Sequence, residues 1–175
     1  IMEKILIISS TRNSNFDMSK KIMNFFDDLG STVTELICLE DFNLPLFTPT
    51  LEIEFKKNNE FPEDIGKIKN KLLSSKAVIW CSPEYNGGIS PILTNSIAWI
   101  SRATSDWKEA FINKKMLICS SSGGNGKNFV EGLRLQLKYL GSEVMEDCII
   151  QTKKESVPET QFKEILSQFY KKIPI

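Results

Sequence analysis

Residues 81–91, CSPEYNGGISP, end an apolar run and set a carboxylate, a tyrosine ring, an amide and two glycines in succession. Gly87 and Gly88 permit positive φ and a close approach of backbone to a flat ligand. Asn86 offers both a donor and an acceptor, and Tyr85 a ring face or edge. Main-chain N–H groups of such a loop can bind the pyrimidine edge of a heterocycle. The bland alternative is a surface turn that exposes a tyrosine by accident. A second segment, SSTRNSNFD (9–17), is rich in hydroxyls and amides and runs into a helix. Free N–H groups and the helix dipole favour an anion there, and Arg12 can hold phosphate oxygens in a bidentate pair. The same Ser and Asn side chains could instead only cap the helix. A third segment, SSSGGNGKN (120–128), nearly matches a Walker A loop. Ser121 stands where its first glycine belongs, and Asn128 where Ser or Thr must reach Mg²⁺. A nucleoside-triphosphatase is therefore rejected, and there is no GxGxxG fingerprint.

The elements that must position these loops alternate along the chain. KILIIS (4–9) is a continuous apolar strand, followed by Met18, Ile22, Phe25, Phe26 and Leu29 at helical spacing and by Gly30 where a C′ glycine belongs. TVTELIC (32–38) is the second strand. After a long loop, Ile65, Ile68 and Leu72 mark a second helix, and AVIWC (77–81) is the third strand. Ser90 and Pro91 are the N-cap and N1 of a third helix, with Leu93, Ser96, Ile97 and Ile100 on one side. KMLICS (115–120) is strand four. Val130, Leu133, Leu137 and Leu140 give a fourth helix closed by Gly141, EVMEDCII (143–150) is strand five, and Phe162, Ile165, Leu166, Phe169 and Ile173 stripe a last helix.

Five β/α units predict a parallel sheet with helices on both faces, an α/β, three-layer α/β/α domain spanning 1–175. Strands one, three and four are apolar throughout, as strands buried on both faces are. Strand two carries Glu35, and strand five Glu146 and Asp147, so those two belong at the edges. The five-stranded order 2-1-3-4-5, flavodoxin-like, puts them there; the order 3-2-1-4-5 would bury Glu35. The ligand crevice then opens between strands one and three, where loops 9–17 and 82–89 meet. That position weakens the accidental-turn reading.

Bulk composition limits the rest. At 175 residues, 41% hydrophobic and 25% charged, the chain fits one globular domain. Lys plus Arg equals Asp plus Glu at 22 each, which argues against a nucleic-acid partner. No apolar run is long enough to span a membrane, and no N-terminal segment has the length of a secretory core, so a cytoplasmic location is expected. Ile1 ahead of Met2 reads as a residue added before the natural start. Cys38, Cys81, Cys119 and Cys148 show no CxxC and read as buried hydrophobes in a reducing compartment. With no histidine, Ser-His and Cys-His catalysis and His-built metal sites are excluded.

SSTR after strand one, SPEYNGGISPILTNSIAWISR (82–102) and SSSGGNG (120–126) together resemble the NADPH-dependent FMN reductase family, which is flavodoxin-like and includes quinone, azo-dye and chromate reductases. The likeness runs nearly end to end and includes NLPLF (43–47). It implies FMN, with Ser10, Arg12, Asn15 and Asp17 around the phosphate and Pro83, Glu84, Tyr85, Asn86 and Gly87 against the ring. Ser120, Ser121, Gly123 and Gly124 would close the ring's other edge. It implies NADPH or NADH as co-substrate and a small-molecule electron acceptor: a quinone, azo compound, metal oxyanion or free flavin. No histidine acid or base is required for that chemistry. It further implies a homodimer or homotetramer. Phe47, Leu51 and Phe55 in loop 39–61 are apolar enough to bury against a partner or over their own domain.

The chain departs from the family pattern in three places: Ser9-Ser10 for Gly-Ser, Asn15 and Asp17 for Ser and Asn, and Lys127 for a glycine. A carboxylate beside a phosphate dianion costs ~3–4 kcal/mol at an effective dielectric near 20. A helix N-terminus returns only ~0.3–1 kcal/mol. So Arg12, helped by Lys20 or Lys21, outweighs Asp17, or Asp17 turns away to cap helix one; otherwise FMN binds weakly. Two rivals remain at this stage. A flavodoxin-type electron carrier would bind FMN without reductase activity, but such carriers tend to be acidic and use a Thr/Ser-x-Thr-Gly-x-Thr loop. A degenerate relative would keep the fold only as a binding module.

Overall fold

The computed structural model describes residues 3–173; Ile1 and Met2, and with them the proposed added residue, lie outside the described residues. In chain order the elements are β1 (Glu3–Ser9), α1 (Ser14–Leu29), β2 (Thr32–Cys38), α2 (Pro49–Asn58), α3 (Glu63–Leu73), β3 (Ala77–Cys81), β4 (Glu84–Tyr85), β5 (Gly88–Ile89), α4 (Pro91–Arg102), β6 (Lys115–Ser122), α5 (Lys127–Tyr139), β7 (Glu143–Val144), β8 (Ile149–Thr152) and α6 (Glu159–Lys172). The main sheet is parallel and runs β2-β1-β3-β6, with β7 and β8 both paired to the outer side of β6. In order of position this is the expected 2-1-3-4-5 flavodoxin-like arrangement.

Strand alternation divides the core in two. Leu6, Ile8, Val78, Trp80, Met116 and Ile118 face the layer made by α3, α4 and α5. Ile5, Ile7, Ala77, Ile79, Cys81, Leu117 and Cys119 face α1 and α6. Because both faces are covered, the middle stretches of the central strands, Ile5–Ile8, Ala77–Cys81 and Met116–Cys119, are apolar without interruption. Leu29, counted in the apolar stripe of the first helix, stays largely exposed.

Two expectations are corrected. The fifth strand is not continuous over 143–150, so the sheet has six strands rather than five. Val144 pairs with Met116 and Ile149 with Cys119, so five steps on the edge face three on β6. The surplus residues loop outward, carrying Glu146 and Asp147 into solvent. Arg134, buried on α5, satisfies the carbonyls freed there by donating to Met145 O at 2.6 Å and Glu146 O at 2.9 Å. The second correction concerns loop 39–61, which contains α2. Thr48 caps it, accepting from Leu51 N at 3.2 Å, and Pro49 opens it. The helix buries no residue completely. Phe47 and Phe55 pack on Trp99 of their own domain, with ring centroids 4.9 and 5.4 Å away. Trp99 Nε1 and Asn95 Nδ2 both donate to Pro45 O, at 2.7 and 3.0 Å, and pin the NLPLF segment to α4. Trp80 and Trp99 are core residues, whereas Trp107 is 39% exposed.

The sequence argument for β2 as an edge strand holds, and Glu35 is there held by Lys4 of β1 and Lys71 of α3. Burial raises the carboxyl, but hydrogen bonds from the two lysines outweigh it and hold Glu35 below the ordinary carboxylate range. A depressed folded-state value contributes stability above the unfolded carboxyl's range and loses it as pH falls through the folded one. The stability gap between the native chain and Glu35→Gln, read from urea midpoints, will therefore be present at neutral pH and close in acid.

Candidate functional site

The loops after β1, β3 and β6 meet at the carboxyl edge of the sheet, and buried polar side chains join them. Asn15, in the first turn of α1 and fully buried, donates from Nδ2 to Ser121 O at 2.9 Å and accepts from Ser121 N at 2.8 Å. Ser10 Oγ donates to Ser82 Oγ at 2.8 Å, which lies 3.0 Å from Ser90 Oγ at the start of α4. Ser120 Oγ and Ser122 Oγ lie 2.8 Å apart. These groups have no water to fall back on, so each must find a partner in a neighbouring loop.

The segment 84–89 forms a two-stranded antiparallel hairpin, β4 with β5, around Asn86 and Gly87. Both have positive φ, 50° and 69°, as a type I′ turn requires. The hairpin is held at its base. Glu84 N donates to Ser122 Oγ at 2.8 Å, and Glu84 Oε2 accepts from Phe129 N at 3.0 Å. The carboxylate thus serves as a distant cap on α5, whose own N-cap, Gly126, has no side chain to do so. Gly126 is needed for a different reason: a Cβ there would come within 3.2 Å of Ser120 Oγ and 3.3 Å of Ile150.

Above this crest lies a cavity of about 530 Å³, lined by Asn13, Ser14, Pro83, Glu84, Tyr85, Ser121, Ser122, Gly123, Gln151, Thr152 and Lys153. Five residues expected from the sequence therefore share one hollow: Pro83, Glu84, Tyr85, Ser121 and Gly123. Ser10, Asn15 and Ser120 sit behind it as buried supports. Asn86 and Gly87 form the hairpin tip, and a Cβ on Gly124 would lie 4.0 Å from Glu84 Oε1. Arg12 and Asp17 do not line the cavity. Arg12 donates from Nε and Nη2 to Asp41, and that pairing raises its guanidinium above its ordinary range. Asp17 is exposed and pairs with Lys20 at 2.9 Å, while Asn13 caps α1, accepting from Asn15 N at 3.2 Å. Asp17 has thus turned to solvent without becoming the cap.

Sequence reasoning missed Gln151, Thr152 and Lys153. The signal was available: the loop after strand five emerges at the same edge as the others. The strand was taken to end at 150, just short of them. A second cavity, about 380 Å³ between α1 and α6, shares only Gln151 with the crest and contains none of the three loops.

The hollow suits an anionic, flat ligand. Among the described residues, the amides of Thr11, Asn13 and Ser14 have no acceptor in the chain, and they cluster at the start of α1. A Cβ on Gly123 would meet nothing within 4 Å, so that side is open to a planar group. The volume lies in the usual range for a small-ligand site. Fold and site thus define a flavodoxin-like domain with a crevice at its switch point.

Comparison with known proteins makes the class specific. The family model described as NADPH-dependent FMN reductase matches residues 2–155, and the chain belongs to that family. It is an oxidoreductase with FMN as flavin and NAD(P)H as co-substrate. An uncharacterized Mycoplasma pneumoniae protein, a homolog of MG342, is 27% identical over 80% of this chain and 81% of its own. An Arabidopsis thaliana NADPH:quinone oxidoreductase is 32% identical over 47% of this chain, a match that spans only 38% of the plant protein. The solved flavoenzyme FerB, an NAD(P)H:(acceptor) oxidoreductase of Paracoccus denitrificans, superposes with a TM-score of 0.77 at 18% identity, covering 98% of this chain and 97% of that one. At that identity the likeness concerns the fold.

Two substitutions test the supports. Asn15→Ala leaves the N–H and C=O of Ser121 without partners and will cost about 2–6 kcal/mol in urea unfolding, since each orphaned buried group costs ~1–3 kcal/mol. Glu84→Ala will cost about 1 kcal/mol as a lost cap, and Glu84→Gln, which keeps an acceptor, will cost less in the same measurement.

Proposed function

We propose that the protein passes reducing equivalents from NAD(P)H, through FMN held at the crest of the sheet, to a small quinone-type acceptor. The observation that carries this reading is the hollow bounded by the start of α1 and by the loops after β3, β6 and β8, with Tyr85 46% exposed at its rim. FMN bound there supplies the hydride-accepting and electron-donating chemistry; the chain supplies position and field.

The residues divide that work. The unpaired amides at the start of α1 would hold the phosphate end, where aligned peptide dipoles favour negative charge. Gly123, lacking a Cβ, leaves room for a ring face. The Glu84 N–H to Ser122 Oγ bond fixes the spacing of the two loops that would hold the ring. The carboxylate of Glu84, tied to Phe129 N, is offset by the positive end of α5. No side chain has to carry a proton to or from the nicotinamide, because hydride moves as a unit. That agrees with a chain containing no histidine.

A quinone is favoured because the Arabidopsis relative carries that activity in its name. The expected homodimer or homotetramer belongs to the same proposal. In an assay of NADPH and NADH oxidation with menadione and added FMN, turnover will exceed that of free FMN, and double-reciprocal plots will be parallel. No excess over free FMN would defeat the proposal, and FMN binding without NADPH oxidation would point to an electron carrier.

A further inference from the structure

We infer that Lys153, in the turn after the last strand of the sheet, is the cation that pairs with the flavin phosphate in place of Arg12. The inference rests on the reading of the crest as an FMN site. Loop 9–17 offers one arginine, and it is committed elsewhere. Its Nε and Nη2 both donate to Asp41, its main-chain N donates to Glu40 Oε1 at 3.0 Å, and its guanidinium lies 5.3 Å from the centre of the Phe16 ring. Lys20 is occupied by Asp17. The start of α1 therefore presents amides to the hollow but no positive side chain.

A phosphate monoester carries about −1.5 to −2 charges at neutral pH. A helix N-terminus answers with about half a positive charge. A full cation is still wanted, and Lys153 is the lysine or arginine that lines the hollow, which Asn13 and Ser14 line as well. Among the described residues it pairs with no carboxylate. Its place is held by a self-bonded turn: Thr152 Oγ1 accepts from Lys154 N at 3.2 Å and from Glu155 N at 3.0 Å, while Thr152 N donates to Glu155 O at 2.8 Å. One residue back, Gln151 Nε2 donates to Ser121 Oγ at 3.1 Å and ties the strand end to β6. The turn thus presents Lys153 from the side of the hollow away from β2. An ammonium on a flexible stem binds phosphate as a point charge and needs no fixed fork geometry.

The test compares FMN with riboflavin, which differ only by the phosphate. Full-length apoprotein carrying Lys153→Gln, Lys153→Arg or Arg12→Gln is titrated with each flavin, followed by flavin fluorescence. Lys153→Gln will weaken FMN about three- to tenfold, leave riboflavin unchanged, and flatten the loss of FMN affinity with added salt. Lys153→Arg will bind as the native chain does, and Arg12→Gln will keep the preference for FMN over riboflavin. If Arg12→Gln abolishes that preference and Lys153→Gln does not, the inference is overturned. It is also overturned if Lys153→Gln leaves both flavins alone but raises KM for NADPH and not NADH, since the lysine then serves the nicotinamide's phosphate. If the native chain binds neither flavin, the reading of the site itself has failed, a result distinct from the other two.

Discussion

The structure depends on one constraint: polar side chains buried at the carboxyl edge of the sheet must satisfy one another. The two-way bond between the Asn15 amide and the backbone of Ser121 joins the start of α1 to the end of β6, across a separation of 106 residues. The serine chain from Ser10 through Ser82 to Ser90 joins β1, β3 and α4. Neither bond contributes much net energy when made, but leaving either half unmade in the dry interior is costly. The three loops are consequently locked in register by the polar groups that sequence inspection would assign to a ligand.

That lock explains the division between supports and surface. Asn15, Ser10 and Ser120 are consumed in holding the crest, and the hollow is lined instead by Asn13, Ser14, Glu84, Tyr85, Gln151 and Lys153 among others. The hairpin at 84–89 follows the same principle: Asn86 and Gly87 set its turn, while Glu84 secures its base against α5. One carboxylate therefore stabilises a helix and positions a binding loop.

The charges at the rim are arranged with equal economy. Asp17, troubling on paper beside a phosphate, is exposed and paired with Lys20, where solvent screens it. Arg12 is drawn towards Asp41, just past β2. The family to which the chain belongs is thus represented here with different side chains at positions of its first loop.

The layered fold, the strand order and the meeting of three loops at the carboxyl edge of the sheet were legible in the sequence, because burial on one or two faces imposes periodicities that local inspection can read. Ile5 to Ile8 and Ala77 to Cys81 had to be central, and Glu35 had to be at an edge. The start of α2 at Thr48-Pro49 and the turn at Asn86-Gly87 were written in the same local code, although neither stands out beside stronger apolar stripes. Other features could not be read that way. Whether Asn15 would meet a phosphate or Ser121, where Arg12 would find its partner, and that Lys153 would reach the hollow all turn on groups tens of residues apart. Side-chain type states what a residue can bond; only the packed sheet decides which partner lies within three ångströms of it.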